Sequence, residues 1–121
     1  MANRPFIAVI TVEVGASVAG VGSYRLSEGQ SFEINRIRQQ ADGTCDITNI
    51  QMSNGDNLTN AGTSNPIPLK YFQDIASGYT ADSKLDHPIM LEGGGQLTFY
   101  FLDKSGSSNT VQVFLEGLLK N

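Results

Sequence analysis

One cysteine, one histidine and no tryptophan leave this chain few of the residues on which site chemistry is usually built. The lone Cys45 excludes an intramolecular disulfide and a zinc site of the multi-cysteine kind. The lone His87 excludes a two-histidine metal centre within one chain. Cationic residues are sparse as well: eight Lys and Arg, scattered, against twelve Asp and Glu, for a formal net charge of −4. There is no concentrated basic stripe to neutralise phosphates, which argues against a nucleic-acid partner. Long apolar runs are missing too. The start, "MANRPFIAVITVEVGA", has one early Arg and a short apolar run broken by Glu13, too short to span a bilayer and unlike a signal peptide. The expectation is a protein made in the cytoplasm, not secreted by a signal peptide and not membrane-spanning, and the glycosylation pattern Asn57-Leu58-Thr59 is then a chance match.

What the chain does have is 121 residues with 40% hydrophobic content and 13 glycines, enough for one domain with a real core and many turns. "FIAVITVEV" (6–14) is almost entirely β-branched, with polar residues on one parity at Thr11 and Glu13, so it predicts a strand buried on both faces at its start and half exposed at its end. "GASVAGVGS" (15–23) reads as a loop or bulged crossing, and "YRL" as a short strand. "SFEINRIRQQ" (31–40) alternates until Ile37 falls on the second parity, which predicts a bulge near Arg36. Asp42-Gly43 then turns into "TCDITNIQM" (44–52), and the pair reads as a hairpin. Residues 53–66 form a long polar loop. "IPLKYFQDIA" (67–76) can hold one helical turn over Leu69, Phe72, Ile75 and Ala76, ended by Gly78. "IML", "QLTFYFLD" (96–103) and "TVQVFLEGLLK" (110–120) complete about eight strands. Strands at this spacing without crossover helices predict an all-β antiparallel sandwich, residues 1–121, jelly-roll-like because both terminal strands read as central. An immunoglobulin-type sandwich would offer a Cys…Trp…Cys arrangement that this chain lacks.

Three glycines at 93–95 are the nearest thing to a chemical motif. A phosphate loop opens onto a helix N-terminus, whereas these precede strand alternation and no G-K-[ST] follows. They are expected to form a tight turn. His87, beside Pro88 and next to Asp86 in sequence, is poorly placed for a Ser-His-Asp triad, and no G-x-S-x-G elbow is present. Cys45 lies within an alternating strand, where a free thiol behaves as a small hydrophobe. "NGDN" (54–57) lacks the spacing of an EF-hand loop, and the other carboxylates are scattered through turns. The expectation is a protein that is not an enzyme and carries no cofactor or metal.

Surface therefore carries the functional reading. Tyr71, Phe72 and Tyr79 flank loops, where aromatic rings stack on sugars or anchor subunit contacts. With Asp56 and Asn57 of the polar loop they are the candidate interface residues. Phe6–Ile10 and Thr110–Leu115 carry no charge, so either both strands are central or an edge is covered by another subunit.

"NIQMSNGDNLTNAGTSNPIPL" followed by "LDHPIMLEGGGQLTFYFLDKSGSSNTVQVFLEG" resembles the second half of small jelly-roll virion proteins of tailed bacteriophages. The resemblance lies in a polar loop, then Pro88 to Leu91, the turn Gly93 to Gly95, the strand Leu97 to Asp103 and a last strand Val111 to Gly117, and covers about half the chain. It implies a capsid decoration (cement) subunit or a small tail or neck component, located in the virion, homo-oligomeric and often trimeric, with the major capsid protein or other virion subunits as partners. Two readings of other classes stand beside it. One is a carbohydrate- or ligand-binding sandwich, favoured by an exposed Tyr71 or Tyr79 in a shallow groove. The other is an enzyme, which requires His87 or Cys45 to meet a carboxylate in a pocket.

Overall fold

The computed structural model describes residues 3–74 and 84–121. Among these the chain is all-β, with nine strands in two packed sheets. They are β1 (Asn3–Val14), β2 (Ala19–Arg25), β3 (Ser31–Ala41), β4 (Cys45–Met52), β5 (Ile67–Pro68), β6 (Gln73–Asp74), β7 (Lys84–Glu92), β8 (Gln96–Asp103) and β9 (Asn109–Lys120). One sheet runs β1-β9-β3, with β7 and the short β6 both on the far side of β3; the other runs β2-β8-β4-β5. Every pairing is antiparallel except the two-residue β3–β6 contact. The expected sandwich is there.

Its core forms because each central strand turns one parity inward. β8 buries Leu97, Phe99, Phe101 and Asp103 and leaves Gln96, Thr98, Tyr100 and Leu102 partly exposed. β9 buries Val111, Val113 and Leu115 in the same way. Phe32, Ile34, Ile37 and Ile47 meet them from β3 and β4. The predicted bulge is found: the register of β3 slips between Ile34 and Arg36 against both β7 and β9. The slip swaps parity, so Ile37 still points inward while Arg36 and Arg38 both reach Glu116, the latter with Nη2 2.7 Å from Oε2.

Three expectations need correction. First, β3 and β4 are not a hairpin, since they lie in opposite sheets. Both have inward apolar rows, so they face each other across the core and Asp42-Gly43 carries the chain over. That turn is held by the start of β9: the Asp42 N–H donates to the Thr110 carbonyl, and the Gly43 N–H to Asn109 Oδ1 at 3.0 Å. Second, β1 is an edge strand, half exposed along its whole length, with Ile7 57% and Val9 49% exposed; only β9 of the two terminal strands is central. Third, "GVGS" is strand rather than loop. β2 starts at Ala19, directly after a turn closed by Val18 N–H to the Gly15 carbonyl. Gly22 is required there because β2 lies close over β1. A methyl at Gly22 would collide with the side chains of Val12 and Ile10.

At one end of the sandwich a buried carboxylate joins three of these crossings. Asp103 is 2% exposed and accepts from the Ser17 N–H at 2.9 Å, the Ser105 N–H and hydroxyl, the Gly106 N–H and the Asn109 side-chain amide. Asn109, equally buried, donates in turn to the carbonyls of Gly43 and Thr44. The β1–β2, β3–β4 and β8–β9 connections thus meet on two polar side chains. Ser17 has a φ of 57°, a left-handed conformation uncommon for a residue with a side chain, and its N–H bond to Asp103 holds it there.

Gly22→Ala should lower stability by about 1–3 kcal/mol in urea titration, the usual cost of overpacking. The Asp103 carboxyl is held well below the usual carboxylate range, chiefly by the Ser105 hydroxyl and the Ser17 N–H, which outweigh its desolvation. The folded protein therefore binds that proton more weakly than the unfolded chain. Its contribution is full above about pH 4 and fades as the pH falls further. Asp103→Asn should melt several degrees below the wild type at pH 7, and the gap should narrow when the melts are repeated below pH 4.

Candidate functional site

The candidate residues fall into two places. Tyr71 and Phe72 come from a single 3₁₀ turn, Leu69–Tyr71, that follows β5, where one helical turn was expected. The expected continuation over Ile75, Ala76 and Gly78, and the candidate Tyr79, lie outside the described residues. The turn forms because Leu69 plugs the core at 3% exposure and the Phe72 N–H closes back on the Leu69 carbonyl at 3.0 Å. That leaves Tyr71 on the outside, 76% exposed, with its ring edge-on to Phe72 at a centroid distance of 5.4 Å. Phe72 is half-buried, and Gln39 Nε2 holds its carbonyl at 3.1 Å.

These two rings border a cleft of about 580 Å³ between the sheets, on the β5 and β7 side of the sandwich. Ile37, Ile50, Leu85 and Ile89 supply its walls, and Leu58, Thr59 and His87 reach it from the rim. The lining holds no Asp, Asn, Lys or Arg among the described residues. Such a surface attracts apolar groups and a ring face, and offers few fixed polar partners for a sugar's hydroxyls.

Asp56 and Asn57 are elsewhere in function though near in sequence. The polar loop opens as a tight return on the end of β4: the Asp56 N–H donates to Asn54 Oδ1 at 2.9 Å, and the Leu58 N–H to the Ile50 carbonyl at 2.8 Å. Asn54 Nδ2 donates to the Asp56 carboxylate, and Asn49 Nδ2 to Asn57 Oδ1. Both side chains are exposed, Asp56 engaged within its turn and Asn57 by Asn49 of β4, and neither lines the cleft.

Cys45 and His87 are not brought together. Cys45 is 3% exposed behind Lys70 and Pro68, whereas His87 is exposed on β7 and borders the other cavity. Burial pushes the Cys45 thiol up to about 11. The glycine triplet is the expected turn: Gly94 has a φ of 81° and Gly95 N–H donates to the Glu92 carbonyl at 2.7 Å. The turn is pinned to the β2–β3 connection through Leu26 and leads from one sheet to the other.

The sequence left open whether Phe6–Ile10 is a central strand or an edge, and the structure makes it an exposed apolar edge. On the side opposite the cleft, β1 and β2 are the edges of their sheets and lie over one another. Ile7 and Val9 are about half exposed on the outer face of one sheet and Val21 on the outer face of the other, with Val18 half exposed in the turn between β1 and β2. The missing charge in Phe6–Ile10 was the signal. Nothing in the pattern distinguished an edge from a buried centre, because both parities of that stretch are apolar.

No protein-family model, curated protein or solved structure matches the chain. Its own geometry has to carry the functional reading.

Two measurements check this description. Tyr71→Ala should leave stability within about 0.5 kcal/mol, as for an exposed side chain, whereas Ile37→Ala in the cleft wall should cost about 2–5 kcal/mol. The Cys45 thiol should resist a disulfide reagent at pH 8 in the folded protein and react fully in urea.

Proposed function

We propose that this protein is a non-enzymatic structural subunit of a bacteriophage particle, a capsid decoration (cement) protein that stabilises the head through protein–protein contacts. The observation that carries the reading is the bare side of the sandwich. Two sheet edges run there side by side, uncharged from Pro5 to Val12 and from Ala19 to Tyr24, with four aliphatic side chains in solvent. A free-standing small sandwich guards its edges, because unpaired N–H and C=O groups flanked by apolar side chains pair with other chains. An assembly subunit uses such an edge as its contact. The resemblance of residues 49–69 and 85–117 to small phage jelly-roll proteins suggests the kind of assembly, with further copies and the major capsid protein as partners. A small tail or neck component would use the same surface and differs in where in the virion it sits.

One observation favours a second reading, a ligand-binding sandwich. Tyr71 stands almost fully out of the surface at the mouth of an apolar cleft, a placement that suits stacking on a bound ring. If that cleft is the working site, a glycan or peptide array will give a defined binder that Tyr71→Ala loses by about tenfold or more. A blank array removes this reading.

Antiserum against the protein should decorate intact heads of the phage that encodes it in immunogold microscopy, and the protein should co-band with heads in a density gradient. Label confined to tails would move the role to the tail or neck. Protein found solely in the soluble fraction of a lysate would overturn the virion reading.

A further inference from the structure

The two sides of the sandwich are treated in opposite ways. On the cleft side, β5 is two residues long, preceded by Pro66 and ending in Pro68, β6 is two residues long, and β7 carries Asp86, His87, Pro88 and Glu92. Short strands, prolines and charges are the devices that stop an edge from pairing. The other side has none of them in its middle. β1 offers twelve residues, bonded among the described residues to β9 alone, whose single proline and two charges sit towards its ends at Arg4, Pro5 and Glu13. Thus a head-to-tail ring, in which β1 of one copy meets β7 or β5 of the next, would set the bare edge against the guarded one.

The charges at the ends of β1 decide what does fit. Parallel pairing of β1 with its own copy would place Arg4 beside Arg4 and Glu13 beside Glu13. Antiparallel pairing keeps like charges apart, since in a register centred on Ala8 Arg4 opposes Val12 and Glu13 opposes Asn3, and it lets the uncharged middle meet itself. Opposed residues in an antiparallel pair point to the same face, so the outward row Pro5, Ile7, Val9, Thr11, Glu13 must meet the same row. The register centred on Ala8 sets Ile7 opposite Val9 of the second copy, and Val9 opposite its Ile7. Each of these half-exposed side chains then gains an apolar cross-strand neighbour on both copies.

We infer that the bare side of the sandwich is a self-association surface, on which a second copy of this chain docks by antiparallel β1–β1 pairing about a two-fold axis at Ala8. The sheet containing β1, β9, β3 and β7 continues across the axis, and the neighbouring β2 edges, with Val18 and Val21, are brought together on the other layer. An edge that meets its own copy is isologous, so the unit is a dimer and not the trimer that the resemblance implies. This inference rests on the assembly reading and specifies its first contact.

Light scattering on a sizing column, across a concentration series, tests it with three proteins. The wild type should run at twice the 13.0 kDa chain mass. Ile7→Lys/Val9→Lys sets Lys opposite Lys twice at the axis and should weaken the dimer about a hundredfold, with unchanged far-ultraviolet circular dichroism because both positions face solvent in the single copy. Ile7→Lys/Val9→Glu sets Lys opposite Glu twice and should restore the dimer. A wild-type monomer at high micromolar concentration, a trimer, or a double-lysine variant that dimerises undiminished would each overturn the inference, as would failure of the charge-swapped pair to recover. The two readings separate cleanly. A monomer that still labels phage heads overturns the edge pairing alone, and a dimer absent from particles overturns the virion role alone.

Discussion

The constraint on which this sandwich depends is the satisfaction of one buried carboxylate. A charge in a protein interior is tolerated when donors surround it, and Asp103 has five, drawn from the Ser17, Ser105 and Gly106 backbone, the Ser105 hydroxyl and the Asn109 amide. Those donors belong to the β1–β2 and β8–β9 connections, and Asn109 adds the β3–β4 turn through Gly43 and Thr44. Apolar packing could hold the two sheets together in several offsets. Only one offset brings these three connections onto a single pair of side chains. The network therefore fixes where β2 lies over β1, and with it the shape of the bare side.

That shape has a cost that the glycines meet. β2 approaches β1 so closely that Gly20 and Gly22 face Val12, Val14 and Ile10 with no room for a side chain. A strand whose inward row is Gly, Gly, Tyr contributes little burial of its own and is a weak strand by propensity. In return the two edges are drawn close together, with Ile7 and Val9 on the outer face of one sheet and Val21 on that of the other. The far side is built the other way: the sheets part, bulky Ile37, Ile50, Leu85 and Ile89 line the gap, and prolines and charges close the edges. One molecule thus carries a thin pairing edge and a wide apolar cleft on opposite sides.

The layered fold was legible because alternation is local. The strands Gln96–Asp103 and Asn109–Lys120 announce their inward rows residue by residue, and the parity switch at Ile37 located a bulge that the register of β3 reproduces. Partner choice was not legible, because it is decided across the fold. Asp42-Gly43 has the chemistry of a hairpin turn, yet the hydrogen bonds that fix it come from Asn109 and Thr110, about 66 residues away in sequence. β1 read as central because Ile7 and Val9 are as apolar as Ala8 and Ile10, and no window of sequence tells an exposed apolar row from a buried one. Asp103 and Asn109 were visible as turn residues, not as a buried pair, since Asp, Ser, Gly and Asn are what any surface turn contains. Of the candidate surface residues, Tyr71 and Phe72 share the cleft, while Asp56 is engaged by its own turn and Asn57 by Asn49 of β4.

Separation of the two features has a consequence for assembly. A contact made through β1 leaves the cleft uncovered, because β9, β3 and the whole width of the core lie between them. A two-fold dimer formed at β1 therefore presents two clefts, each with its Tyr71, at its far ends. A symmetric particle repeats the same surface at fixed spacing, and a rigid two-headed ligand that spans two such repeats binds the second with the first already tethered. Weak single-site affinity would then be enough for attachment to a repeated surface, and a single free subunit would be held far less firmly.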